Sequence, residues 1–141
     1  MKAMKKTFAM LSVLAAALLL CSPVGAQDAQ KINKKNLVIK EWNTDVRTNR
    51  KVLDQVTTYN SDGKKIDEVE YGSSGQKWRK RYEYGADGKV SKEMLYDENN
   101  RLVNYKKIEY NEFGRKKVQY TYNPKGKLVS VKVYEYIIED E

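Results

Sequence analysis

Short segments in which apolar and polar side chains alternate occupy most of this chain after its first 35 residues. Between Lys117 and Tyr122, for example, valine and tyrosine alternate with lysine, glutamine and threonine. A period of two places successive side chains on opposite faces of a strand, whereas helices show a period near 3.6. We count about eight strand-like segments and no helix. The first two are residues 37–42 and 51–59. The pattern therefore predicts an all-β domain over residues 36–138.

A tyrosine closes six of these segments, and a residue suited to tight turns follows it four positions later. The pairs are Tyr59 with Gly63, Tyr71 with Gly75, Tyr84 with Gly88, Tyr96 with Asn100, Tyr110 with Gly114 and Tyr122 with Gly126. Four of the turns begin with Asn or Asp, whose side chains hydrogen-bond nearby backbone, and Gly or Asn tolerates a left-handed conformation. This combination is typical of a type I turn followed by a glycine bulge. Such hairpins join antiparallel neighbours, so the sequence predicts an up-and-down meander.

The spacing of the tyrosines predicts which face of the sheet they occupy. The intervals are 12, 13, 12, 14 and 12 residues, with 14 more to Tyr136. Even intervals place the tyrosines and the other large apolar residues, such as Met94 and Ile108, on one face. The interval of 13 between Tyr71 and Tyr84 would reverse that face. We therefore expect a loop one residue longer at 72–76, or a nearby bulge.

Both outermost segments are apolar on both faces. Leu37, Val38 and Ile39 form the first, and Val129, Val131 and Val133 belong to the last. Such strands are usually covered, because an exposed strand edge recruits other chains. The first and last strands could pair to close a barrel, an open sheet could twist strongly on itself, or an edge could dimerise. The pattern favours the curved open sheet, with the closed barrel as the alternative.

The N-terminal 26 residues have the organisation of a cleavable secretory signal. Three lysines precede the apolar run from Phe8 to Leu20, and Val24-Gly25-Ala26 supplies small residues at the cleavage position. We expect cleavage after Ala26, a flexible tail at residues 27–35, and a secreted or periplasmic location. Lipidation at Cys21 is the less favoured alternative. The apolar run is too short for a permanent membrane span.

The composition removes most catalytic chemistry from the predicted mature chain. The sequence contains no histidine, and Cys21 lies within the signal. Ser-His-Asp and Cys-His arrangements cannot be built, and nitrogen or thiolate ligands for a metal are missing. Carboxylates are scattered over turns and outward strand positions. We therefore predict a protein that is not an enzyme and binds no cofactor and no metal.

The turn motif resembles the YD (Rhs-type) repeat. The segments that carry the resemblance are Tyr96-Asp-Glu-Asn-Asn-Arg-Leu-Val103, Tyr84-Gly-Ala-Asp-Gly-Lys-Val90 and Tyr122-Asn-Pro-Lys-Gly-Lys-Leu-Val129. The repeat covers roughly residues 59–136, and only Asp97 supplies the aspartate directly after the tyrosine. The chain is also similar to small uncharacterised secreted proteins of Gram-negative gut-type bacteria. In larger relatives such repeats form scaffolds or enclosures, which implies a non-enzymatic role.

A basic residue follows the turn glycine or asparagine in five of the six repeats. Because turns alternate between the two ends of a meander, Lys64, Lys89 and Arg115 are expected at one end, and Arg101 and Lys127 at the other. These cations form an anion-binding rim in one interpretation. They serve only solubility and edge protection in the other, which the sequence favours because Asp62, Asp87 and Glu112 occupy the same turns. The chain has 27 basic and 19 acidic residues in all.

The resulting hypothesis is a secreted, non-catalytic interaction or scaffold module. Self-association through apolar edge strands is the alternative, and binding of a carbohydrate or polyanion is less favoured. The candidate partner surface comprises Lys64, Lys89, Arg115, Val129, Val131 and Val133. The expected partner is a protein, an extracellular polysaccharide or a second copy of the chain. Nucleic acid and stable membrane insertion are not expected.

Overall fold

The structure, a computed structural model, describes residues 32–139. The predictions for the signal, its cleavage site and Cys21 concern residues outside this range. Eight strands form a single sheet in chain order, with every neighbouring pair antiparallel. They are β1 (Val38–Asp45), β2 (Arg50–Tyr59), β3 (Lys65–Gly72), β4 (Gly75–Tyr84), β5 (Val90–Tyr96), β6 (Leu102–Tyr110), β7 (Lys116–Tyr122) and β8 (Leu128–Val133).

This arrangement confirms the all-β meander of eight strands, and the described residues contain no helix. The sheet is open, because β1 pairs only with β2 and β8 only with β7. The alternative of a closed barrel is therefore wrong. The first hairpin is tighter than expected, since both strands extend into the stretch between the predicted segments 37–42 and 51–59. Asn49, at the end of this turn, adopts a φ of 53°, close to the 61° of Asn100.

The predicted turn chemistry is confirmed in five hairpins. In the loop that begins at Asn60, the N–H of Gly63 donates to the carbonyl of Asn60 at 2.9 Å, and the N–H of Asn60 donates to the carbonyl of Lys64 at 2.9 Å. The same two bonds recur in the loops at 85–88, 97–100, 111–114 and 123–126. The fourth residue of each loop has a positive φ, which glycine and asparagine tolerate best.

Every repeated hairpin contains a bulge, a residue that has no partner on the preceding strand. As a result, the next tyrosine lies on the opposite face of the sheet from the previous one. Tyr84 stands opposite Val90, whereas Glu83 stands opposite Lys92, so Ser91 has no partner on β4. An equivalent register shift follows each of the other five tyrosines. Because directly opposed residues share a face, the tyrosines alternate between faces. We call the face that bears Tyr59, Tyr84 and Tyr110 the first face, and the face that bears Tyr71, Tyr96 and Tyr122 the second.

The prediction of a single tyrosine face is therefore wrong. The turn geometry was anticipated, but the extra residue that follows it in every hairpin was not. Of the two expectations for residues 72–76, the nearby bulge is present, since Lys77 has no partner on β3 between Gln76 and Trp78. The longer loop is wrong, because Gly72 stands directly opposite Gly75 and only Ser73 and Ser74 lie between them. This loop is one residue shorter than the others, not longer. The shorter loop offsets the odd interval, so that Tyr71 and Tyr84 still occupy opposite faces.

Neither face of the sheet has a conventional core. Only three described residues are buried: Val69 on the second face, and Thr57 and Ile108 on the first. Every residue of β1 and β8 is exposed. The sheet is thus a single layer over its described residues. Its side chains are half-covered by their neighbours on the same face and not by a second layer.

Cross-strand polar contacts contribute to both faces. On the second face the guanidinium of Arg79 binds the Asp67 carboxylate, with Nη2 2.7 Å from Oδ2 and Nε 2.9 Å from Oδ1. On the first face the Glu68 carboxylate accepts hydrogen bonds from Gln55 at 2.7 Å, Tyr82 at 2.9 Å and Lys65 at 3.0 Å. Burial acts to raise the pKa of Glu68, but the bonds from Lys65 and Tyr82 outweigh it and lower the pKa.

Candidate interaction surface

The three cations predicted to gather at one end of the sheet occupy equivalent positions there. Lys64, Lys89 and Arg115 each follow the turn that joins β2 to β3, β4 to β5 or β6 to β7. Residues 34–36 lie at the same end, since the N–H of Asn36 donates to the carbonyl of Asn60 at 2.9 Å. We call this the first end. Arg101 and Lys127 follow turns at the opposite, second end.

Each of the three cations at the first end lies over the ring of a tyrosine. That tyrosine belongs to the next repeat at the same end. The distance from the cation to the ring centroid is 5.2 Å for Lys64 and Tyr84, 5.7 Å for Lys89 and Tyr110, and 5.3 Å for Arg115 and Tyr136. Lys34 extends the series at 5.3 Å from the ring of Tyr59. These are cation–π distances. We call the four pairs the cation–tyrosine row.

The hydroxyl of each ring from Tyr84 onward is tied to the hairpin that supplies its cation. Tyr84 donates to the carbonyl of Lys65 at 2.6 Å, Tyr110 to that of Val90 at 2.8 Å, and Tyr136 to that of Lys116 at 2.7 Å. In every case the acceptor is the residue immediately after the cation. Burial raises the pKa of both Tyr84 and Tyr110, so these phenols stay neutral at physiological pH.

Two turn glycines leave the space that the lysine head groups occupy. A Cβ on Gly88 would lie 2.9 Å from the Nζ of Lys64, and a Cβ on Gly114 would lie 2.9 Å from the Nζ of Lys89. Any larger residue would displace the ammonium group. These glycines therefore serve the row as well as the positive φ of the turn.

The charges of the row are partly balanced within its own turns. Asp62, Asp87 and Glu112 lie in the same three loops, and the Asp87 carboxylate accepts the N–H of Lys89 at 3.0 Å. Even so, none of the five salt bridges found within residues 32–139 includes Lys34, Lys64, Lys89 or Arg115. Successive cations are two strands apart, a separation of about 9.5 Å from ordinary strand spacing. Ordinary strand spacing therefore places the cations of the row at regular intervals along the first end.

The second end is built differently. Gln76 occupies the position of a row cation, and its Nε2 donates to the carbonyl of Asp97 at 2.7 Å and to Oδ1 of Asn100 at 3.2 Å. Arg101 and Lys127 lie over no aromatic ring among the described residues. A general need for soluble hairpin loops would apply equally to both ends. Among the residues that directly follow the repeated turns, stacking on a tyrosine ring thus distinguishes the first end, although Lys51 lies 4.9 Å from the ring centroid of Trp42 near the β1–β2 hairpin.

A shallow groove of about 450 Å³ adjoins the last cation of the row. It is lined by Asn111, Phe113, Arg115, Tyr136 and Ile138. Phe113 and Ile138 are 80% and 85% exposed. The row therefore ends beside exposed apolar side chains, a combination that suits contact with a partner that is both charged and apolar.

The three predicted valines lie elsewhere, on the outer edge of the sheet. Val129, Val131 and Val133 belong to β8, and Val131 and Val133 stand opposite Tyr120 and Val118 on the second face. The structure thus separates the six candidate residues into two surfaces, the row and the β8 edge.

The sequence interpretation overlooked Lys34 and the tyrosines as members of the row. A usable signal was present: Tyr59, Tyr84, Tyr110 and Tyr136 are separated by 25, 26 and 26 residues. That interval contains two turns and two strands, which return the chain to the same end and the same face.

Residues 32–139 contain no cluster of three or more Asp, Glu, Cys or His side chains positioned to hold a metal ion. Over the same range, no helix has the length and apolar character needed to cross a membrane.

Comparisons with known proteins give no family. No family model matches the chain, and no curated protein matches it. One of the solved structures that this chain matches is described as "Crystal structure of GtfA/B complex bound to UDP and GlcNAc". The match has 13% sequence identity and a TM-score of 0.32. The match covers 67% of this chain and 20% of the other, so this chain spans about a fifth of that protein's length.

Proposed function

We propose that this chain is a secreted, non-catalytic interaction or scaffold module, and that it contacts its partner through the cation–tyrosine row. The observation that carries the proposal is the row itself. It consists of four cations in line at one end of a single-layer sheet, each over a tyrosine ring at 5.2–5.7 Å. The rings restrict where the charged groups lie, which lowers the entropy cost of binding.

An extended acidic polymer fits this geometry best. Evenly spaced cations about 9.5 Å apart match a chain that carries an anionic group at regular intervals, as acidic extracellular polysaccharides do. A compact anion would engage only one or two of them. The groove beside Arg115 adds exposed apolar surface at the end of the line. Export of the chain, expected from residues 1–26, would place the row outside the cell membrane with such polymers.

Retention on immobilised alginate tests the proposal, with a neutral glucan as the reference matrix. We expect the protein to bind alginate in physiological salt and to elute at higher ionic strength, because exposed charge pairs are screened. The triple variant Lys64→Gln, Lys89→Gln and Arg115→Gln should lose retention. A matched triple variant at the second end removes the same charge and should still be retained on alginate. It combines Arg101→Gln, Lys125→Gln and Lys127→Gln.

An equal loss of retention in both triple variants would show that binding depends only on net charge and not on the row, and would contradict the proposal. Turnover of a glycan or peptide by the purified protein would contradict its non-catalytic character.

A further inference from the structure

We propose that two copies of this chain pair through β8, edge to edge, about a two-fold axis at Val131. The inference is independent of the proposed function, because it rests on the outer strand and not on the row. One side of the β8 backbone pairs with β7, and the other has no strand partner within residues 32–139. Unpaired backbone groups along a strand are a template for another strand.

The side chains of β8 add apolar surface to this edge. Val129, Val131 and Val133 are 57%, 49% and 65% exposed. Val131 and Val133 lie on the second face, opposite Tyr120 and Val118, and Val129 is the bulge residue of this hairpin, without a partner on β7. A second strand laid along β8 would extend this apolar strip and cover the valines.

Lysine in an edge strand usually opposes such pairing, but Lys132 is directed away from the valines. It stands opposite Gln119 on the first face, and its Nζ lies 5.4 Å from the ring centroid of Tyr134. The ammonium group of Lys132 therefore lies on the first face of β8 and not among the valines on the second face. The usual protection of an edge strand is absent on the second face of β8.

The sequence of β8 is complementary to itself in one antiparallel register. With the axis at Val131, that residue stands opposite its own copy, Val129 stands opposite Val133 of the copy, and Ser130 stands opposite Lys132 of the copy. No like charges are opposed, and all the valines meet valines. The contact is isologous, so the assembly closes at two copies.

The other edge offers a poorer match. An axis at Lys40 or at Glu41 of β1 would place a charge opposite its own copy. An axis at Trp42 would place Ile39 opposite Asp45. Pairing β8 with β1 of another copy would leave new edges at both ends and produce open chains of copies. The self-complementary register of β8 therefore favours the closed pair.

A cysteine placed at the axis tests the register. Opposed residues in an antiparallel pair have Cα atoms about 4.5–5.5 Å apart, within disulfide range. In a Cys21→Ser background, Val131→Cys should form a covalent dimer under mild oxidation. Val38→Cys, at a similarly exposed position on β1, should not. Equal cross-linking at both positions, or none at position 131, would overturn the proposal.

Sedimentation equilibrium of the purified protein tests the association itself. We expect the mass to rise with concentration to twice that of the chain and to stop there. Val131→Lys should keep the mass of a single chain, with an unchanged far-UV circular dichroism spectrum, whereas Val38→Lys should still dimerise. A single-chain mass for the parent protein at millimolar concentration would refute the pairing. Continued growth beyond two copies would refute the two-fold contact.

Discussion

At the scale of single residues, the tyrosines of the first end act through both ends of their side chains. The ring of Tyr110 lies beneath the ammonium group of Lys89, and its hydroxyl donates to the carbonyl of Val90 at 2.8 Å. A phenylalanine would keep the first contact and lose the second. In a sheet with few buried residues, such paired contacts take over part of the role of a core.

We expect Tyr110→Phe to lower the free energy of unfolding by about 1 kcal/mol, the usual net value of one hydrogen bond. Urea unfolding followed by circular dichroism measures the change. Tyr120→Phe is the matched control, because the hydroxyl of Tyr120 makes no hydrogen bond among those found in the described residues. A cost as large for Tyr120→Phe would show that the loss does not come from the hydroxyl–backbone bond.

The Glu68 cluster predicts a pH dependence. The pKa of Glu68 lies below its unfolded value of about 4.5, so the carboxylate contributes stability above that pH and loses it as the pH falls through the folded pKa. We expect the free energy of unfolding to decrease between pH 5 and pH 3 less steeply in Glu68→Gln than in the parent protein. Glu98→Gln, at an exposed turn position, is the charge-matched control. Parallel pH profiles for Glu68→Gln and the parent would contradict the assignment.

At the scale of elements, the hairpin is a turn and a bulge together, and the two have different consequences. The turn joins neighbouring strands at one end. The bulge that follows reverses the face of the next strand's side chains, as Ser91 does between Val90 and Lys92. Turn residues at the two ends therefore share a backbone conformation but have different neighbours.

Gly114 and Gly126 separate these effects, because both have a positive φ, 72° and 82°, but different surroundings. Alanine should cost on the order of 1 kcal/mol at either position through backbone strain. It should cost more at Gly114, where the Nζ of Lys89 must leave its place over Tyr110, than at Gly126, where the nearest atom is the Tyr105 hydroxyl at 3.6 Å. Equilibrium unfolding measures both. In a Lys89→Met background, whose shorter side chain carries no charge and ends before the position of Nζ, a persistent excess at Gly114 would argue against the ammonium as its cause.

At the scale of the whole molecule, stability is distributed from the centre of the sheet outward. The buried residues Thr57, Val69 and Ile108 lie on β2, β3 and β6, whereas β1 and β8 are exposed along their entire length. Local opening is easiest where few side chains are covered.

Native-state hydrogen exchange should therefore show the greatest amide protection in β3 to β6 and the least in β1 and β8. At concentrations where copies pair, protection should rise in β8 and not in β1. Uniform protection across all eight strands, as in one fully cooperative unit, would contradict this gradient.

How far the sequence predicted this molecule depends on which residues carried the signal. The turns were predictable, because Asn60, Asn111 and Gly114 have strong local conformational preferences that act without tertiary context. The meander followed from the short loops. The faces were not predictable by counting residues, because a bulge such as Ser91 has no distinctive residue type and adds one position to each hairpin. Of the candidate site, the shared end of Lys64, Lys89 and Arg115 followed from topology, but their stacking on tyrosines depends on the faces and was missed.

The alternation of faces has a consequence for how a gene encoding this fold can change in length. One added strand with its turn would leave every later residue at the wrong end and on the wrong face. Two added strands with their turns, about 26 residues such as Gly85–Tyr110, would restore both. Tandem duplication or deletion is thus tolerated in steps of two strands, each step adding or removing one cation and one tyrosine. The length of the row, and with it the number of contacts available to a partner, can be altered by a single recombination event without redesigning the sheet.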